Sequence, residues 1–212
     1  LLACPLLAEE PSAPSVRVDG GLVSGVVFGE QGDVRTYKGV PFAAPPVGVL
    51  RWKPPQPAKP WDGIRPCTRV GGFCPQPKQI AFTHEDGLQS EDCLYLNVWT
   101  PAKDGTAKLP VMFWIHGGGY TTGSGGLKAY DGEKLARSGV VVVTTNYRLG
   151  PFGFFAHPLL TKESEHASSG NYGMLDQIFA LQWVQRNIAV FGGDPNRVMI
   201  FGESAGSASV VR

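Results

Sequence analysis

Hydrophobic positions fall in short blocks separated by polar stretches rich in glycine and proline. Val111-Met112-Phe113-Trp114-Ile115 is unbroken and apolar, which predicts a strand buried on both faces. Val140 to Thr145 is a second such run, and Arg197-Val198-Met199-Ile200-Phe201 a third. Leu94 to Trp99 predicts a further strand, stopped by Pro101. Val16 to Phe28 alternates around Gly20-Gly21 and Gly25, as a small hairpin does. Met174, Ile178, Leu181, Val184 and Ile188 recur at helical spacing and predict one apolar stripe on a helix of about four turns. Asp131 to Ser138 fits a shorter helix, and Pro41 to Pro60 is an irregular surface segment. Apolar strands alternating with helices predict an α/β fold on a mostly parallel sheet, with an N-terminal hairpin.

Composition narrows the function. The chain has 212 residues, enough for one core-forming domain. Nineteen Lys and Arg against eighteen Asp and Glu give a formal charge of +1, which provides no field for nucleic acid. No apolar run reaches the length of about 18 residues that reads as a membrane span. No Asn-x-Ser/Thr sequon occurs.

The first residues, Leu1-Leu2-Ala3-Cys4-Pro5-Leu6-Leu7-Ala8, read as the remnant of an export signal, and Glu9 to Ser15 as a polar linker. Residues 1–15 are thus set apart from a domain over 16–212. Leu1-Leu2-Ala3-Cys4 also resembles a bacterial lipoprotein box, in which Cys4 would carry a lipid anchor; Pro5 fits that poorly, and an ordinary signal is preferred. Cys74 and Cys93 bracket a stretch with few apolar residues, which suits a disulfide-closed loop in an exported protein. Cys67 reads as free, with pairing to Cys74 or Cys4 left open. Zinc is disfavoured because the nearest histidine, His84, has no second histidine at ligand spacing. No metal or cofactor is expected.

The chemistry sits at strand ends. Gly202-Glu203-Ser204-Ala205-Gly206 follows the third apolar run directly, and Ser207 to Val211 can begin a helix. This is Gly-x-Ser-x-Gly between strand and helix, the setting of an exposed nucleophilic serine. The two glycines lack a Cβ and let strand and helix approach around a strained residue. Free N–H groups at the helix start favour an oxyanion. A second motif, His116-Gly117-Gly118-Gly119-Tyr120, follows the strand ending at Ile115. A glycine run there can turn backbone N–H groups toward the same oxyanion. A phosphate-binding reading fails, because no Gly-Lys-Ser/Thr is present and the run opens no Gly-x-Gly-x-x-Gly helix.

Further blocks carry a family resemblance. They are Tyr37 to Ala43, Pro45-Pro46-Val47-Gly48 with Arg51-Trp52, Ser90 to Val98, Asn146-Tyr147-Arg148-Leu149-Gly150 and Gly192-Gly193-Asp194-Pro195. With the two glycine motifs, the chain from about Val16 onward resembles the N-terminal part of a type-B carboxylesterase, the family of cholinesterases and some lipases. The resemblance implies the α/β-hydrolase fold, cut after the nucleophile elbow. It implies Ser204 as nucleophile and Gly118, Gly119 and Ala205 as oxyanion donors. It also implies a Cys74–Cys93 disulfide and the ion pairs Arg51–Glu91 and Arg148–Asp176. The expected substrate is a small-molecule carboxylic ester. Cholinesterases hold choline on a tryptophan in the disulfide loop; residues 75–92 have none, and Phe82 is their only aromatic, so a neutral ester is favoured.

The family's triad runs serine, acid, histidine. Only eight residues follow Ser204, and His84, His116, His157 and His166 all precede it. The sequence therefore reads as part of a longer enzyme, inactive alone. His116 is read as shaping its turn, and His157 and His166 as solvated. The rival reading is a non-catalytic cholinesterase-like adhesion domain; such domains usually lose the serine, which this chain keeps.

Overall fold

The computed structural model describes residues 13–28, 33–77 and 88–212. The segment Leu1 to Ala8 expected above to be a signal remnant, with Cys4, and Phe82 and His84 lie outside the described residues. β1 (Val16–Val18) and β2 (Gly21–Ser24) form the predicted antiparallel hairpin, and β5 (Ile64–Pro66) adds to β2 in parallel. At Gly25 the chain passes to a second sheet. A Cβ there would sit 2.8 Å from the Tyr37 ring, so only glycine allows so close a crossing.

The main sheet contains β3 (Val26–Phe28), β4 (Val34–Pro41), β6 (Tyr95–Thr100), β7 (Leu109–Ile115), β8 (Val141–Thr145) and β9 (Gly193–Gly202), in the order β3-β4-β6-β8-β7-β9. Pairing is antiparallel from β3 to β8 and parallel only for β8-β7-β9. The parallel part is thus smaller than the sequence suggested. Residues 116–140 and 146–192 are long enough to cross over the sheet and return each strand in parallel, whereas β3 and β4 lie too close in sequence for a crossover.

All five residues of β8 are buried, as a strand covered on both faces requires. β7 instead alternates, with Val111, Phe113 and Ile115 buried and Met112 and Trp114 partly exposed. β9 departs further, with Met199 at 51% and Ile200 at 37% exposure. Among the described residues it pairs only with β7, so its apolar run lies on an edge rather than inside.

Short helices α1 (Glu133–Ala136), α2 (Gly150–Phe154) and α3 (Pro158–Glu163) precede the long α4 (Tyr172–Asn187), and α5 (Ala205–Val210) ends the chain. Trp183 and Val184 of α4, with Ile188 and Phe191 after it, join Leu96, Phe113 and Val143 in the main core. Ala136 of α1 covers Trp99 and Val142 in a second cluster. α4 exists where predicted, and Val184 and Ile188 of its predicted stripe are buried, but the buried face is turned toward the residues that precede that stripe. Gly173, Gln177, Ala180, Trp183 and Asn187 are inside, each one residue before the predicted stripe, and Ile178 is 51% exposed. The face is thus turned by only part of the roughly 100° that separates successive residues. Two contacts set it. Gly173 lies against the Arg148 carbonyl, where a Cβ would be 2.5 Å from the oxygen, and Asp176 turns in to meet Arg148.

Arg148 donates from Nε to Asp176 Oδ2 at 2.8 Å, from Nη2 to Oδ1 at 2.7 Å, and from its backbone N–H to Oδ2 at 3.0 Å. Both side chains are buried, and burial pushes the Asp176 carboxyl up from its ordinary value while Arg148 opposes that rise. Arg51 meets Glu91 as a bidentate pair at 2.5 and 2.6 Å. Cys74 and Cys93 are disulfide-bonded, with Cα atoms 5.1 Å apart. Cys67 is free and buried. Among the described residues no helix is long and apolar enough to cross a membrane.

Candidate active site

β7 and β9 are neighbours in parallel, and Ile115 stands opposite Gly202. The chain therefore leaves both strands at the same carboxyl edge, and the two glycine motifs emerge side by side. Parallel α/β sheets place ligands at this edge. β8, on the other side of β7, contributes Asn146-Tyr147-Arg148 to it.

Ser204 sits between β9 and α5 with φ 54° and ψ −118°. An L-residue held there stores strain of about 1–3 kcal/mol. The elbow persists because its flanks have no side chains. A Cβ on Gly202 would lie 2.5 Å from the Gly206 carbonyl carbon and 2.7 Å from the Ile115 oxygen, and one on Gly206 would lie 2.8 Å from the Ile115 carbonyl carbon. The glycine turn packs onto the elbow just as tightly. A Cβ on Gly117 would stand 2.7 Å from the Glu203 oxygen and 3.1 Å from Ser204 Cβ. Ser204 itself is exposed.

Gly118 and Gly119 have φ of 101° and 60°. Among the described residues, the N–H groups of Gly118, Gly119 and Ala205 donate to no protein acceptor. Three unused donors thus lie on the two turns that meet at Ser204. Beside them a cleft of about 430 Å³ is lined by Gly119, Tyr120, Gly150, Phe154 and Phe155, among others. Its walls are mostly apolar, which suits an uncharged ligand.

His116 is buried, with Nδ1 2.8 Å from the Gly117 oxygen and its ring stacked on Tyr147 at 4.4 Å. The Tyr147 hydroxyl donates to the His116 carbonyl at 2.8 Å; burial, chiefly, raises the pKa of that phenol. His157 is exposed, and its Nδ1 accepts from the Leu159 N–H to cap α3; His166 is exposed in the loop that follows.

Two polar hubs were not legible beforehand. Asn146 Oδ1 accepts from Gly125 N–H at 2.8 Å and from Ser124 at 3.1 Å, while its Nδ2 donates to the carbonyls of Gly72 and Cys93. Gln76 brackets Gly123, accepting from its N–H at 2.8 Å and donating to its oxygen at 2.9 Å. Together they tie the disulfide-bonded segment to the glycine-rich loop after β7. Apart from the Ser124 hydroxyl, their partners are backbone groups, which leave no mark in the sequence.

The sequence profile of the carboxylesterase family matches residues 12–212. A fumonisin B1 esterase from Sphingopyxis macrogoltabida is 54% identical over 208 residues, which is 98% of this chain and 38% of that protein. A para-nitrobenzyl esterase from Bacillus subtilis is 50% identical over 180 residues, covering 84% of this chain and 36% of that one. Among solved structures, a para-nitrobenzyl esterase superposes with a TM-score of 0.84 at 46% identity, covering 92% of this chain and 39% of the other. A carboxylesterase from Geobacillus stearothermophilus gives 0.82 at 47% identity, with the same coverage. The chain thus spans well under half the length of the curated relatives it matches.

Proposed function

The chain belongs to the carboxylesterase family and has its α/β-hydrolase fold, and from that premise we propose that it carries the nucleophile and oxyanion donors of a serine esterase. Ser204 Oγ attacks the ester carbonyl. The carbonyl oxygen becomes an oxyanion and accepts from the N–H groups of Gly118, Gly119 and Ala205. The C–O bond to the alcohol breaks, the alcohol leaves with a proton, and water hydrolyses the acyl-enzyme to free acid. The observation that carries this reading is the pairing of Ile115 with Gly202, which brings a strained serine and three unused N–H groups to one sheet edge.

A serine hydroxyl is a weak nucleophile without a base. His116 is engaged inside its turn, His157 caps the start of α3, and His166 lies in the loop after its end. We place the acid and the base in sequence following Arg212, in keeping with relatives more than twice as long. The substrate we assign is a neutral small-molecule carboxylic ester, as the apolar cleft favours. The relatives named for fumonisin B1 and para-nitrobenzyl esters set no narrower limit. The disulfide fits an exported protein.

The test is made on the full-length gene product. It should hydrolyse a short-chain p-nitrophenyl ester and lose that activity in Ser204→Ala, and a fluorophosphonate should label Ser204 in the parent. Undiminished turnover by Ser204→Ala would overturn the assignment.

A further inference from the structure

Glycine runs are the most entropically free segments of a chain, yet an oxyanion hole works only if its N–H groups point correctly before the reaction begins. Gly118 and Gly119 occupy left-handed conformations in sequence. Something beyond their own preferences must hold them.

We propose that His116, Thr121 and Thr122 are positioning residues that aim the N–H groups of Gly118 and Gly119 by holding the carbonyl of the preceding residue. The inference rests on the esterase reading above. No peptide bond here is cis, so each carbonyl points opposite to the N–H that follows it. Fixing the Gly117 oxygen therefore fixes the Gly118 N–H, and fixing the Gly118 oxygen fixes the Gly119 N–H.

The Gly117 oxygen lies 2.8 Å from His116 Nδ1. A carbonyl oxygen only accepts, so Nδ1 carries the proton, and this sets the tautomer. The imidazole cannot swing away, because it is buried, stacked on Tyr147, and joined through its own carbonyl to the Tyr147 hydroxyl. The Gly118 oxygen accepts four hydrogen bonds. The backbone N–H groups of Thr121 and Thr122 both reach it at 3.0 Å, and their hydroxyls at 3.1 and 3.2 Å. A carbonyl has two lone pairs, and the two backbone donors already satisfy them. The hydroxyls are thus unnecessary for satisfaction; they narrow the orientation of the peptide plane. Donors on a carbonyl also polarise its peptide unit and strengthen the opposite N–H as a donor.

A purely space-filling role for these side chains makes different predictions. His116→Asn keeps a donor at the position of Nδ1 but loses the stacking ring. His116→Phe keeps the ring and loses the donor. Thr121→Val/Thr122→Val keeps the shape and loses both hydroxyls, while Thr121→Ser/Thr122→Ser keeps the hydroxyls. Each variant is made in the full-length esterase, checked for folding by circular dichroism and thermal unfolding, and assayed for kcat and KM on p-nitrophenyl butyrate. Inhibition by an alkyl trifluoromethyl ketone, whose hemiketal oxyanion occupies the same donors, is measured alongside. The valine pair should lose about 10- to 100-fold in kcat with KM within about twofold, since removing one such donor outright costs about 10²–10³. The serine pair should return to within about threefold of the parent. His116→Asn should retain several-fold more kcat than His116→Phe. The ketone's inhibition constant should rise in step with the loss of kcat/KM.

A valine pair with kcat within twofold of the parent overturns the threonine part, and so does a loss confined to KM. If that pair does not fold, the single variants Thr122→Val and Thr122→Ser decide the point in the same way. Equal loss in the two His116 variants, or greater loss in His116→Asn, assigns that ring to packing and overturns its part. Ser204→Ala separates the layers. If it remains active, the esterase reading itself fails; if it is inactive while the valine pair turns over normally, only the positioning inference does.

Discussion

Asp176→Asn leaves the Arg148 guanidinium buried without a counter-charge. The two side chains are 2% and 0% exposed, so water cannot replace the lost partner. Three charge-assisted contacts converge on this carboxylate, and an amide in its place turns an NH₂ group toward one of the donors. Breaking one partner of a buried pair typically costs about 3–5 kcal/mol. In a chain of this size, where each kcal/mol is worth about 2–4 °C, the midpoint should fall by roughly 6–20 °C. Asp19→Asn is the control. Its Arg186 pair is 47% exposed on each side, and such pairs are worth about 0–1 kcal/mol. Urea unfolding of parent, both single variants and Arg148→Met/Asp176→Leu gives the comparison. The double variant removes both charges and should cost less than Asp176→Asn alone. The reasoning fails if Asp176→Asn costs under about 1 kcal/mol, or if removing both charges costs more than removing one.

Three further outcomes follow from the structure. Burial pushes the Cys67 thiol up to about 11, so it should resist a disulfide reagent at pH 8 until the chain unfolds; rapid stoichiometric labelling of native protein would contradict this. The unfolded thiol ionises near its ordinary 9.0, and buried Tyr37 and half-buried Tyr95 are likewise pushed from 10.0 to about 12. The unfolded state therefore releases protons first, and stability should decline above about pH 9, by about 1.4 kcal/mol per pH unit for each such group until its folded-state value is reached. At the elbow, Ser204→Gly relieves the positive φ while Ser204→Ala does not, so the glycine variant should be the more stable by about 1 kcal/mol in a thermal melt. The reverse order would mean that the turn is unstrained.

Legibility tracked what each side chain has to do. The strands at Val111–Ile115 and Val141–Thr145 were readable because uninterrupted apolar runs have few other uses. The run at Met199 does not by itself tell an edge strand from a central one, since both carry the same residues. The face of α4 was readable at Val184 and Ile188 but not at Ile178, for a different reason. Periodicity assumes that apolar residues choose the buried side, but here a carboxylate does, because Arg148 waits for it inside. Ion pairing outweighed the exposure of Ile178, and a moment calculated from hydrophobicity has no term for that.

The geometry of the candidate site was more legible than its surroundings because its requirements are subtractive. Gly202, Gly206 and Gly117 are fixed by what a single methyl group would strike, and no neighbouring residue type can compensate for a backbone clash. Such positions leave a signature in the sequence itself. The support around them leaves none. The Gly118 carbonyl, the Gly123 amide and the Cys93 carbonyl are held by Thr121 and Thr122, by Gln76 and by Asn146, and each of these contacts joins a side chain to a main-chain atom that every residue possesses. Only the register of Ile115 on Gly202 and the path of the loops decide which backbone groups they meet. The proposed chemistry is thus suggested by the missing side chains, and its orientation only by the folded backbone. This is why substitutions at Thr121, Thr122 and His116, rather than at the glycines, test whether the proposed oxyanion donors are aimed.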